Sequence, residues 1–313
     1  MARTESYEKL RPPDEEIRMT ASNADAQTVS ALQSVLVAMI DPIDQLFFHS
    51  RMLRAWGHNQ GMARNMEWIF KMQRTKELVG VLAGLGGVPT SRPARTLDIG
   101  ADPRSIYQAD AAQTRWFLEV VEGAHAQSSD EAARAVLEDI LGKEWADLAV
   151  LEQALEDGSV DEEPRNAKFL LPKPGGAEAA IKAANMALAT MTSAVSQIFF
   201  HSLIFDGQGR KELAERELNG ALSMMYRSEA LLERLLDLGG IPSAEGHGAI
   251  TLHEDEQGAD SAACAAHDTA ISALESGLAL LDGRIDPMSH SLVDGILRAE
   301  RDDRAVIAAR LAA

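Results

Sequence analysis

The sequence predicts an all-α fold: two four-helix bundles in tandem, packed on each other as an intramolecular pseudo-dimer. The first reason is repetition. Phe47-Phe48-His49-Ser50 returns 152 residues later as Phe199-Phe200-His201-Ser202, and Gly86-Gly87-Val88-Pro89 returns after 153 as Gly239-Gly240-Ile241-Pro242. Ile140-Leu141-Gly142-Lys143-Glu144 is echoed after 156 residues by Ile296-Leu297-Arg298-Ala299-Glu300. So long a period marks a repeated domain and not a solenoid turn. A fused pair can build within one chain what a homodimer builds across its two-fold axis. The second reason is composition. At 46% hydrophobic there is enough to bury a core in each half, and with only 5% aromatic residues the balance of Ala, Leu, Met and Glu favours helix over sheet. The third is apolar spacing at the helical period.

The elements follow in order. Residues 1–25 are polar, contain Pro12-Pro13 and read as a tail. The first bundle is expected over 26–157. Its first helix carries Leu36, Ile40, Ile43 and Phe47, a stripe echoed by Leu188, Thr192, Val195 and Phe199. Pro42 should kink that helix or reset its start. The second helix carries Ile69, Met72, Val79 and Leu82, matched by Leu222, Met225, Leu232 and Leu235. Both copies stop at Gly-Gly-Val/Ile-Pro, where glycine supplies a left-handed cap and proline blocks continuation. After a connection of about 15 residues, longer than a usual helix–helix turn, Asp102-Pro103 opens a third helix. A fourth runs from about Ser129 to Glu156. Residues 158–177, with Gly158, Pro164, Pro172, Pro174, Gly175 and Gly176, form the linker. The second bundle occupies 178–313.

A net charge of −18 argues against nucleic acid as a general partner, since phosphate binding needs clustered Lys and Arg. The lone Cys264 excludes an intramolecular disulfide and a Cys-rich zinc site. The N-terminus lacks the apolar core of a signal peptide, and no run reaches the roughly 20 apolar residues expected of a membrane span. The expectation is a cytoplasmic protein with no membrane partner.

Four helices with one long crossover between the second and third is the ferritin-like topology. The stretch from Phe47-Phe48-His49-Ser50 to Trp56-Gly57 resembles the end of the first helix of bacterioferritin. Gly87-Val88-Pro89 and Leu97-Asp98-Ile99-Gly100-Ala101-Asp102 resemble the segment joining its second and third helices. The resemblance covers nearly all of 31–156 and, more weakly, 183–312. It implies a di-iron centre built from one Glu on each of two helices and Glu-x-x-His on each of two others. Those positions fall here on Met39, Lys71, Arg74, Thr114, Glu144 and Asp147, and on Met191, Met224, Arg227, His267, Glu300 and Asp303. One Glu per copy survives in kind. The expectation is that Arg74 pairs with Glu144 and Asp147, and Arg227 with Glu300 and Asp303, as fixed cations in place of metal. No ferroxidase catalysis is then expected. Glu122-x-x-His125 lies too far along the third helix to join that site, and a residual metal site at His267, Glu300 and Asp303 is the contrary reading.

The resemblance also implies a haem b on the two-fold axis with one methionine ligand from each second helix. That position falls on Met72 and Met225, flanked by Ile43 and Phe47 and by Val195 and Phe199. Core packing is the plainer role for such methionines, and Asn65 and Leu218 depart from the aromatic residue usual near the haem. His49 and His201 are read as structural. A cage would need a fifth helix, whereas Glu300 lies 13 residues before Ala313, so a monomeric pseudo-dimer or small oligomer is at least as well supported. The reading is a haem-binding protein of electron transfer or of iron and haem homeostasis, with a redox partner. The alternatives are a catalytically dead subunit docking onto an active bacterioferritin, and a protein with residual iron.

Overall fold

The computed structural model describes residues 23–58, 60–89, 97–161, 176–243 and 248–313. Eight α-helices account for nearly all of them: α1 (Asn23–Ala55), α2 (Gly61–Gly84), α3 (Pro103–Gln127), α4 (Glu131–Asp157), α5 (Ala177–Gly207), α6 (Lys211–Asp237), α7 (Glu256–Leu278) and α8 (Pro287–Leu311). A 3-10 turn, Ser159–Asp161, follows α4. The tail up to residue 22 and most of the expected linker, 162–175, lie outside the described residues.

Helices α1–α4 form one bundle and α5–α8 the other. In the first, α1 packs on α2 and α3, while α4 closes the square against α3 and α2. The second repeats this order, α5 against α6 and α7, α8 against α7 and α6. Helices α2 and α3 therefore sit on a diagonal, and the long connection between them is what a diagonal step requires. The two bundles meet through α1 and α2 of one and α5 and α6 of the other.

The chain punctuates these helices as its residue types dictate. Each of α3, α4, α7 and α8 opens on an aspartate whose carboxylate accepts the backbone N–H three residues on: Asp102 from Ser105, Asp130 from Ala133, Asp255 from Gly258 and Asp286 from Ser289, at 2.8–3.0 Å. Helices α2 and α6 end alike. Gly86 and Gly239 both take φ of 71°. Gly87 N–H bonds Leu82 O and Gly86 N–H bonds Ala83 O, while Gly240 and Gly239 repeat the pattern on Leu235 and Leu236, all at 2.9 Å. This is the paired closure of a Schellman end. The second glycine of each pair is closely packed: a Cβ would press on the side chains of Leu82 and Val29 in one bundle and of Ile181 and Leu235 in the other. The diagonal crossovers are pinned at corresponding points as well: Gln33 donates to Val88 O at 2.5 Å and Asn185 to Ile241 O at 3.1 Å.

Two expectations are corrected. Helix α1 does not restart at Pro42; it runs through it over 33 residues. Leu36, Ile40, Ile43 and Phe47 on either side are buried, and that continuous packing outweighs the one lost backbone hydrogen bond. Second, Ala26–Ala55 and Ala177–Gly207 are each long and apolar enough by hydropathy to cross a membrane. Their apolarity has a local cause: each is the central helix of its bundle and also faces the other bundle, so 83% of its most apolar window is buried inside the fold.

Candidate functional site

Between the bundles lies a cavity of about 620 Å³. Met72 of α2 and Met225 of α6 both line it, and so do Ile43 and Phe47 of α1 and Val195 and Phe199 of α5. All six residues singled out from the sequence thus meet around one space, three from each bundle. The wall is mostly apolar, with a charged rim at Lys76, Asp206, Lys211 and Glu215. A volume of this size with few polar groups is that of a small-molecule or cofactor pocket.

One wall residue, Trp68, was not anticipated. Its ring meets Phe47 edge-on at 6.0 Å between centroids. The Arg51 guanidinium lies over both rings, 4.2 Å from the Phe47 centroid and 4.6 Å from that of Trp68, and its Nε faces Glu229 of α6 at 3.4 Å. Burial lowers the Arg51 pKa to about 10 even with Glu229 beside it. Trp68 stands four residues before Met72, hence on the same helix face, and that spacing is the signal that could have found it.

The expected di-iron positions are occupied by ion pairs. In the first bundle Lys71, only 1% exposed, bonds one oxygen of the fully buried Glu144. Arg74 reaches the other at 3.3 Å and also bonds Glu67. Asp147 is not Arg74's partner, contrary to expectation. Arg64, nearer the start of α2, takes it at 2.5 Å and holds Asp110 at 3.0 Å as well. Arg74 is occupied by Glu67 and Glu144, and Asp147 pairs with Arg64 instead. Met39 and Thr114 are buried here without charge.

In the second bundle the expected pairs form. Arg227 bonds Glu300 at 2.7 Å and Asp303 at 2.6 Å, and His267 Nδ1 meets the other Glu300 oxygen at 2.7 Å. Met191 and Met224 fill the remaining positions and are fully buried. Among the described residues no three His, Cys, Asp or Glu side chains converge as a metal site. Glu122 and His125 stand apart from both clusters, His125 bonding Glu138 at 2.8 Å near the surface.

The repeated histidines sit in unlike surroundings. His49 is held between the Asp110 carboxylate at 2.7 Å and the Asp98 carbonyl at 3.0 Å. Burial alone would raise the Asp110 pKa, but the charges of His49 and Arg64 outweigh it and hold it well below the usual carboxylate range. His201 has no carboxylate. Its Nε2 lies 3.2 Å from the His253 backbone N–H and 3.3 Å from the Gln197 amide, and its Nδ1 is buried without a hydrogen-bond partner. Burial, with His253 adjoining, lowers its pKa to about 4.

Among curated proteins the chain is similar to the bacterioferritin of Mycobacterium leprae (strain TN), at 27% identity over 118 residues, which is 38% of this chain and 74% of that protein. No protein-family model matches the sequence. The likeness spans about the length of one bundle and points to a ferritin-like relationship, in accord with the helix order.

Two predictions follow from these geometries. Lys71→Met leaves buried Glu144 with a single cation and should cost about 3 kcal/mol; Lys71→Met combined with Glu144→Leu should recover most of it. Urea unfolding of the three proteins measures this, and a double variant no more stable than the single would contradict it. His201 is neutral in the fold but protonates near pH 6.5 when unfolded. Because its folded pKa is depressed, the unfolded state takes up the proton first, and stability is lost as pH falls from about 6.5 towards 4, by about 3 kcal/mol. In His201→Gln that part of the pH–stability slope should disappear.

Proposed function

We propose that the chain is a haem-binding relative of the bacterioferritins, arisen by tandem duplication, which holds one haem b between Met72 and Met225. Its ferroxidase chemistry has been lost, and its role is electron transfer or the handling of iron and haem. The observation that carries the reading is the meeting of the two corresponding methionines in one cavity between the bundles.

The residues present fit the group. Two thioethers, Met72 and Met225, one from each bundle, would be the residues that hold its iron. Ile43, Phe47, Trp68, Val195 and Phe199 give apolar walls suited to a flat macrocycle. A haem bound there would supply a one-electron couple, its potential set by the two sulfurs and by burial. The chain's own contribution is to hold both sulfurs on rigid helices and to exclude water. Arg51, spread over Phe47 and Trp68 and facing Glu229, helps fix that wall and ties it to the opposite bundle.

The loss of ferroxidase chemistry is supported by the cations. Lys71 and Arg74 in one bundle, and Arg227 in the other, stand beside the carboxylates that iron would need. A guanidinium or ammonium fixed there repels a divalent cation and already satisfies the charge of the buried glutamates.

Titration with haemin should give a Soret band saturating at one haem per chain. Met72→Ala and Met225→Ala should each weaken binding at least tenfold, about 1.4 kcal/mol, and the double variant should abolish the thioether-ligation signature in magnetic circular dichroism. An unchanged spectrum in the double variant would refute the assignment. Ferrous iron added aerobically should oxidise no faster than in buffer; saturable, stoichiometric oxidation would overturn the second half of the reading.

A further inference from the structure

The interface between the bundles carries a charge pattern that symmetry alone would not produce. Lys76 of α2 meets Asp206 of α5 at 3.0 Å. The corresponding contact on the other side joins Arg54 of α1 to Glu229 of α6 at 3.9 Å, with Arg51 on the same glutamate at 3.4 Å. Arg54 and Asp206 are separated by 152 residues, as Phe47 and Phe199 are; Lys76 and Glu229 by 153, as Met72 and Met225 are. The same two positions therefore form an ion pair on both sides, but with the signs exchanged. A third contact is also unlike on its two sides. Ser196 of α5 donates to the buried Asp44 of α1, and these residues correspond to each other at an offset of 152.

We infer that this face is coded for pairing between unlike bundles, so that bundle one accepts bundle two and rejects a second copy of itself. The inference rests on the correspondence of the two bundles proposed above and not on haem. Were two first bundles to pair in the same geometry, Arg54 would face Lys76 on both sides and Asp44 would face Asp44 in the buried centre. Were two second bundles to pair, Asp206 would face Glu229 on both sides. Like charges brought together at an interface oppose association, while the unlike arrangement in the chain is attractive at each point. The partner this surface fits is thus one of reversed polarity, and the second half of the same chain supplies it. In one respect the device is imperfectly symmetric. Lys211 also bonds Asp206 at 2.5 Å and lies on the same bundle as it, so the code at that side is carried by Lys76 against a partly neutralised aspartate. At the other side Arg51 and Arg54 together face Glu229.

The full chain tests this first. K76E sets a carboxylate against Asp206, and R54E sets one against Glu229; K76Q and R54Q remove charge only. Each reversal should lower the thermal midpoint about 2 °C further than its neutral counterpart at roughly 50 mM salt, and about 1 M NaCl should erase the difference. Equal midpoints for reversal and neutralisation, or a difference indifferent to salt, would overturn the inference. Pairing choice is then read directly by placing a protease site within 162–175, cleaving the folded chain, unfolding and refolding the mixture, and weighing the pairs by native mass spectrometry. The unlike pair should dominate at least tenfold. Introducing R54D with D44S gives the first bundle both signs and removes its central carboxylate, so that pairs of first bundles should now appear. A statistical mixture from the unaltered sequence, or no change in the variant, would overturn the proposal. Neither readout involves haem, so failure here leaves the methionine assignment standing.

Discussion

Glu144 and Glu300 each sit at the centre of a helical bundle with no exposed surface at all. A carboxylate there is tolerable only if a cation is fixed against it, because an isolated buried charge costs far more than a domain's whole margin of stability. The arrangement of the helices serves this requirement. Helix α2 must present Lys71 and Arg74 to α4, and α6 must present Arg227 to α8. Around the first glutamate the requirement spreads outwards. Glu67 offsets the second positive charge on α2, while Arg64 joins Asp110 to Asp147 and so links α2, α3 and α4. His49 and Gln45 bring α1 into the same network through Asp110.

The second bundle meets the same requirement with different residues. Lys71 corresponds to Met224, and the position of Thr114 is taken by His267. Where α2 carries the ammonium of Lys71, α6 carries the apolar Met224, and where α3 carries the hydroxyl of Thr114, α7 carries the imidazole of His267, which bonds Glu300. The exchange keeps two nitrogen partners on each glutamate. The two histidines differ for a separate reason. The aspartate caps of α3 and α7 fix an offset of 153, which places Ala263 where the first bundle has Asp110. His201 therefore lacks the carboxylate that holds His49, and burial is left to dominate its proton affinity. Identical local motifs thus meet unlike partners: a carboxylate on α3 beside His49, and none at the corresponding place on α7 beside His201.

This shows which features the sequence could reveal. Helix ends were legible because they are local: aspartate caps, the glycine pairs and proline at a first turn each act within four residues. The residues of the cavity were named through the resemblance to bacterioferritin, which puts a methionine position at Met72 and Met225 beside the apolar stripes of α1 and α5. The partner choice of Arg74 was not legible, since it depends on how Arg64, Lys71 and Arg74 divide Glu67, Glu144 and Asp147 among them. That competition is settled by side-chain reach across three helices. Trp68, four residues before Met72 and on the same helix face, was not anticipated. Pro42 does not reset α1, because the burial on both sides of it outweighs the local break in hydrogen bonding.

The cavity belongs to neither bundle alone. Ile43, Phe47 and Met72 line it from one half and Val195, Phe199 and Met225 from the other, so it exists only when α1 and α2 are registered against α5 and α6. That registration is made by Lys76 with Asp206, by Arg51 and Arg54 with Glu229, and by Ser196 with Asp44. Two of these residues, Lys76 and Asp206, also stand on the rim of the cavity, and Asp44 and Ser196 line it. The contacts that choose the partner are therefore the contacts that shape the pocket. An error in pairing and an error in the pocket are the same event. A symmetric homodimer repeats each contact and can tolerate a site that is identical on its two sides. A single chain with unlike halves can instead place Trp68 on one wall and the smaller Ala221 on the corresponding wall, and so fit an occupant without two-fold symmetry.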